Sequence, residues 1–270
     1  VAYVTLQEIL KSKKVDEETA IAGLLKWAAV PEYFDRFAGP TTRAMVKELQ
    51  GQKPEVDVFV PVNENSKATN GGAMKAAPIA LLAKGDINQA IEKAVTVCRV
   101  THNNNIALAG AAAVAAATAA AMKEGADLYD VVKASLYGAV KGDQMGREQG
   151  ATLAGASMEA RIRWAVSVAM TQESLDEAID ELADYIGSGL MAVEAVPAAI
   201  GLCVAAGGNT VDAICAAVNI GNDTDTVATM VGGILGALNG VDSMPESYME
   251  IIERENNFDL KSLAEEIMEF

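Results

Sequence analysis

The sharpest chemical signal in the chain is the run Gly221-Asn222-Asp223-Thr224-Asp225-Thr226, which stands directly ahead of an apolar stretch from Val227 to Leu238. Carboxylates and hydroxyls gathered on a tight turn suit a hard divalent cation such as magnesium, which demands near-octahedral oxygen geometry and keeps several of its waters. The same residue types also make good helix caps, because Asp, Asn and Thr accept hydrogen bonds from the free backbone N–H groups of a first turn. The residues themselves leave both readings open.

Two further places could do chemistry. His102 is the only histidine, in Thr101-His102-Asn103-Asn104-Asn105 between two helical patterns, and junctions are where functional side chains tend to sit. A histidine satisfied by local hydrogen bonds is the competing reading. The longest aperiodic segment, Gln52 to Gly72, ends in Asn70-Gly71-Gly72-Ala73-Met74; glycines at a helix start can expose N–H groups to an anion or can simply form a flexible turn. A single histidine excludes a multi-histidine zinc site. No serine stands in a nucleophile-elbow context, and no strand precedes any glycine cluster, so serine hydrolase and dinucleotide-binding chemistries are disfavoured.

These groups must be positioned by helices, since apolar residues recur at three- and four-residue intervals almost throughout and β-branched alternation is confined to about Val56 to Val62. The pattern predicts an all-α, compact multi-helix bundle forming a single domain over 1–270. Helices are expected at Val4–Ser12, Asp16–Ala29, Thr41–Leu49, Ala73–Ala83, Ile87–Val100, Asn105–Glu124 and Leu128–Val140. Further ones are expected at Met158–Met170, Leu175–Ile186, Val193–Ala206, Val211–Val218, Thr226–Leu238, Glu246–Glu253 and Leu260–Met268. Asp16 and Ser174 read as caps, and Gly85, Gly125 and Gly240 as helix ends. Trp27 and Trp164 lie on periodic apolar faces and read as core, while the alanine and glycine of the middle helices imply close interhelical approach.

A formal charge of −16 over 270 residues repels nucleic acid. Cys98, Cys203 and Cys215 lack metal-ligand spacing and read as small buried hydrophobes of a reducing, cytoplasmic compartment. Ile106 to Met122 is apolar but mostly alanine, which favours a buried helix over a membrane span.

Taken in order, several segments resemble the ADP-ribosylglycohydrolase family, which includes the enzyme that reactivates dinitrogenase reductase and the human ADP-ribosyl-acceptor hydrolases. The carriers are Gly39-Pro40-Thr41-Thr42, Thr69-Asn70-Gly71-Gly72-Ala73-Met74 with Ala77-Pro78, Thr101-His102-Asn103-Asn104, Gly187-Ser188-Gly189 with Glu194-Ala195-Val196-Pro197, and Gly221 to Thr226. Each is weak alone; the ordered set is specific. The resemblance implies that Asp223, Asp225 and Thr226 ligate a pair of magnesium ions, with manganese as a substitute, and that Asp223 and Asp225 are thereby catalytic. It also implies that Asn70, Gly71, Gly72 and His102 line an ADP-ribose pocket. The implied reaction is hydrolysis of the glycosidic bond of an ADP-ribosylated protein, or of a small ADP-ribosyl or ribosyl compound, through an oxocarbenium-like state.

One departure bears on that inference. Family members carry near the amino terminus a Gly-Asp-Ala-Leu-Gly type segment and a Thr-Asp-Asp-Thr type segment that supply the other metal ligands, and neither occurs here. The sequence starts at Val1 and is expected to be cropped from a longer protein. A non-catalytic ADP-ribose or nucleotide-binding module, or a structural member of the fold, is the alternative.

Overall fold

In the computed structural model residues 1–52 and 64–270 are described, so the alternation at Val56 to Val62 lies outside the described residues. Among them there are helices and isolated bridges but no strand, in agreement with the all-α expectation. The helices are α1 (Ala2–Ser12), α2 (Glu17–Ala28), α3 (Pro31–Phe37), α4 (Pro40–Leu49), α5 (Ala76–Leu81), α6 (Ile87–His102), α7 (Asn105–Ala121) and α8 (Leu128–Gln149). They continue as α9 (Met158–Thr171), α10 (Leu175–Tyr185), α11 (Ala192–Ala205), α12 (Thr210–Asn219), α13 (Thr224–Asn239), α14 (Glu246–Asn256) and α15 (Leu260–Glu269).

Every expected helix is present, α3 is an addition to them, and the differences have local causes. Helix α3 is too short to show periodicity and is set by Pro31 in its first turn. The helix expected over Ala73–Ala83 opens instead as a 3-10 turn, Ala73–Lys75, before α5. Helix α8 runs nine residues past Val140, through a polar stretch that carries Gly142 and Gly146.

All of α7 is buried, so it has no polar face to reveal it as amphipathic. It is the axis around which α5, α6, α8, α11 and α13 pack. Its alanines let α8 come close, and α8 presents Gly138, Gly142 and Gly146 one turn apart. A Cβ at Gly138 would lie 2.3 Å from the Ala112 carbonyl oxygen, and one at Gly146 would lie 2.4 Å from Asn105 Cα. Backbone rests on backbone along this seam. Among the described residues no helix is long and apolar enough to cross a membrane. Smaller clusters join α1, α2, α5, α6 and α15 around Leu6, Ile9 and Ile79, and α2 and α4 around Leu24, Trp27 and Val46.

Pro197 lies inside α11, where its missing N–H leaves the Val193 carbonyl without its helical donor. Arg161 of α9 supplies a replacement: its Nε donates to that carbonyl at 3.1 Å, while its other nitrogens donate to the Tyr185 and Ile186 carbonyls at the end of α10. One guanidinium thus satisfies orphan acceptors on two helices. Arg161→Met keeps the aliphatic stem and removes those donors, so it is expected to cost about 2 kcal/mol, the scale of hydrogen bonds to a charged group. Urea unfolding measures this, and a change below about 0.5 kcal/mol would mean that water replaces the arginine.

The structure corrects two sequence expectations. Trp164 is 44% exposed; the buried face of α9 passes through Met158, Ile162 and Ala165, leaving Trp164 outside beneath the Arg161 guanidinium and against Tyr185. Cys98 and Cys203 are buried as expected, but Cys215 is exposed because α12 buries Ala213, Ala216 and Ala217 instead.

Candidate functional site

Asp223 occupies the N-cap position of α13, yet its side chain accepts no cap hydrogen bond. The contrast with the rest of the molecule is direct: Asp16, Asp86, Asn104, Asp127, Asn209 and Asp259 each accept the backbone N–H three residues on. Asp223 Oδ2 is held instead by Asn70 Nδ2 at 2.5 Å. Capping therefore does not explain this carboxylate. The turn that aims it uses two consecutive left-handed residues, Gly221 (φ 89°) and Asn222 (φ 56°), of which glycine and asparagine are the residue types that tolerate the conformation.

Fully buried Ser188 clamps that turn. Its hydroxyl donates to the Gly221 carbonyl at 2.9 Å, and its own carbonyl accepts from Asp223 N at 3.0 Å. The adjoining segment is sewn to the Asn70 turn, since Asn70 N donates to the Leu190 carbonyl, Ala192 N to the Ala68 carbonyl, and Asn70 Nδ2 also to the Gly189 carbonyl. Three stretches separated in sequence, around 68–72, 187–192 and 221–226, become one rigid floor. Gly187-Ser188-Gly189 is its middle strut.

Buried His102 closes one side. Both ring nitrogens are engaged by hydroxyls: Nδ1 with Thr101 Oγ1 at 2.6 Å, and Nε2 with Thr69 Oγ1 at 2.9 Å. Gly71 is required beneath the ring, because a Cβ there would fall 2.8 Å from Cε1. Gly72 packs against Cys98, whose thiol donates to the Gly72 carbonyl at 3.0 Å. The asparagines after His102 have structural work: Asn104 caps α7 and holds the Lys67 carbonyl, and Asn105 bridges Asp143 and the Leu153 N–H.

Burial pushes the His102 imidazole down to about 3, helped by the positive charge of Lys75, so the ring is neutral. An unfolded histidine takes up a proton below about 6.5, whereas the folded one does not until about 3. Stability contributed here is therefore full above the unfolded value and is lost as pH falls through that window, on the order of 5 kcal/mol in all. His102→Gln keeps hydrogen-bonding capacity without the titration. Unfolding free energies of the variant are expected to fall less steeply over this range than those of the wild type; parallel slopes would acquit His102.

The Asp223 carboxyl is raised above the ordinary range, first by burial and then by the adjacent Asp225 carboxylate, against the lowering hydrogen bonds of Asn70 and Thr226. Two neighbouring carboxylates with a hydroxyl beside them match a hard divalent cation in kind. They do not match a two-ion centre in number: among the described residues no group of three or more His, Cys, Asp or Glu is placed to hold a metal.

Asn70, Gly71, His102, Asp223, Asp225 and Thr226 all line one cavity of about 1080 Å³; Gly72, packed against Cys98 and His102, does not line it. That volume is at the upper end for a small-molecule site. The cavity also draws on residues the sequence did not single out as site residues. Thr41, Thr69 and Thr101 supply hydroxyls, and Tyr3, Tyr33, Phe37 and Phe258 from α1, α3 and the turn after α14 supply an aromatic side. Thr41 sits within Gly39-Pro40-Thr41-Thr42 at the start of α4, and Trp27 both packs in the core and reaches the cavity. The aromatic residues carry no local signal, because their helices meet the floor only in the fold.

Comparison with known proteins gives the relatives and the family of the chain. The chain is 28% identical over 255 residues to the uncharacterized protein YegU of Escherichia coli (strain K12), covering 93% of this chain and 73% of that protein. It is 29% identical over 237 residues to the ADP-ribosylhydrolase ARH3 of Homo sapiens, covering 81% of this chain and 64% of that one. It thus spans under two thirds of the human protein. Among solved structures, the fold matches an ADP-ribosylglycohydrolase-related protein complex with a TM-score of 0.65 at 20% identity, covering 98% of this chain and 78% of that one. The sequence model of one family, ADP-ribosylglycohydrolase, matches residues 1–270 from end to end. The chain belongs to the ADP-ribosylglycohydrolase family.

Proposed function

We propose that this protein hydrolyses the glycosidic bond of an ADP-ribosylated protein or of a small ADP-ribosyl or ribosyl compound, releasing ADP-ribose with the help of magnesium. The observation that carries the reading is the direction of Asp223. A carboxylate at a helix start that declines the helix N–H groups and is braced by Asn70 across the floor is held for something in the cavity.

In this reading Asp223, Asp225 and Thr226 hold magnesium, and when bound the metal supplies positive charge that orients ribose hydroxyls and a water near the anomeric carbon. The ligands that complete a metal pair come from beyond these three residues. Asn70 fixes the Asp223 carboxylate, and Gly71 leaves room for His102. Neutral His102 holds the Thr69 hydroxyl, and Thr69 and Thr41 offer uncharged hydrogen bonds to an anionic ligand that the acidic protein would otherwise repel. The aromatic side offers flat apolar surface to a planar ring.

The test is calorimetric titration of ADP-ribose with and without magnesium, paired with release of ADP-ribose from ADP-ribosyl-arginine and ADP-ribosyl-serine peptides. Magnesium-dependent binding with turnover is expected. Binding without turnover on any acceptor would favour the non-catalytic module, which the small number of carboxylates in the cavity supports. Absence of binding would overturn both.

A further inference from the structure

Lys75 is 4% exposed and, among the described residues, forms no ion pair. Its Nζ donates to Thr101 Oγ1 at 3.2 Å. From there an unbroken line of polar atoms reaches the cavity: Thr101 Oγ1 to His102 Nδ1 at 2.6 Å, His102 Nε2 to Thr69 Oγ1 at 2.9 Å, and Thr69 Oγ1 to Thr41 Oγ1 at 3.3 Å. Neither the fold nor the proposed reaction requires a lysine without a counter-ion at this depth, and a buried ammonium is costly unless it is used.

We infer that Lys75 is a positioning residue that fixes the direction of this chain, so that it runs Lys75 to Thr101 to His102 to Thr69 and presents a hydroxyl donor to an acceptor oxygen of the bound ligand. The inference deepens the proposed function by assigning the wall that would meet a pyrophosphate or ribose oxygen.

The direction follows from counting donors. An ammonium can only donate, so Thr101 Oγ1 must accept from Lys75. The threonine has one hydrogen left to give. The Cys98 carbonyl lies at 3.5 Å, whereas His102 Nδ1 lies at 2.6 Å, so the hydrogen goes to Nδ1. A neutral ring that accepts at Nδ1 carries its proton on Nε2 and donates to Thr69. Thr69, accepting there, turns its own hydrogen toward Thr41 and the cavity. Reversed, the same atoms would show the cavity a lone pair and repel a phosphate oxygen. Burial also lowers the affinity of Lys75 for its proton, while the Cys98 thiol beside it is pushed up to about 11 and stays protonated.

Because His102 is the only histidine, uniform ¹⁵N-histidine labelling gives one pair of ring resonances, and long-range ¹H–¹⁵N spectra of the ligand-free protein read the tautomer directly. The wild type is expected to show the Nε2–H form. Lys75→Met is expected to give a mixture or the Nδ1–H form and to weaken ADP-ribose binding by roughly 10-fold or more, as loss of an orienting outer partner does. Lys75→Arg, which still donates, is expected to restore both. An Nδ1–H wild type, or a methionine variant with unchanged tautomer and affinity, overturns the inference. If the methionine variant does not fold, the wild-type tautomer and the arginine variant still decide. The tautomer is read without ligand, so failure of ADP-ribose to bind the wild type would count against the proposed function alone.

Discussion

Asp225→Ala is expected to abolish high-affinity magnesium binding and, with it, any magnesium-dependent release of ADP-ribose. The carboxylate stands in the first turn of α13, exposed to the cavity and next to Asp223. Removing it takes away a charged oxygen donor adjacent to Asp223, so the loss should exceed the roughly 10- to 100-fold typical of losing an outer partner of a metal ligand. Because Asp225 is exposed, stability should change by only about 0.5 kcal/mol. Calorimetric titration of magnesium into the variant, beside its urea unfolding curve, separates the two effects. Intact magnesium affinity in a folded variant would sink the assignment of Asp225 as a ligand.

The second large effect concerns the fold that carries the site. Gly142→Ala is expected to destabilise the protein by about 3 kcal/mol or more, because overpacking a seam with no room to relax is among the costliest single changes. The new Cβ would meet the Leu108 carbonyl oxygen at 2.5 Å, Ala112 Cβ at 2.6 Å and Ala109 Cα at 2.8 Å. None of these atoms lies at the end of a flexible side chain, and α7 cannot withdraw because it is buried on every side. Thermal unfolding should move down by roughly 6 to 12 °C for a chain of this size. Gly232→Ala is the control: it too is helical, but its nearest neighbour would be Ile214 Cδ1 at 3.5 Å. It should be neutral or stabilising by up to about 1 kcal/mol. Equal behaviour of the two variants would show that the α7–α8 seam is looser than the distances imply.

Much of this protein was legible along the chain. Helical periodicity and caps are properties of neighbours in sequence, so the all-α class, the ends at Gly85, Gly125 and Gly240, and the cap at Asp16 needed nothing from the fold. The ordered motifs likewise marked Asn70, His102, Asp223, Asp225 and Thr226 before any of them was seen to share a cavity.

What the sequence left open was decided by contacts between distant residues. Whether Asp223 caps its helix or faces a ligand depends on Asn70, 153 residues away, and on the Ser188 clamp. Pro197 is tolerated because Arg161 reaches it from another helix, 32 residues from the carbonyl it satisfies. Trp164 and Lys75 exchanged the places their residue types suggest, one outside and one buried. Periodicity states that a helix has an inner face. Burial of a particular residue and the partner of a particular polar atom depend on which other helices arrive there, and those pairings exist only once the chain has folded.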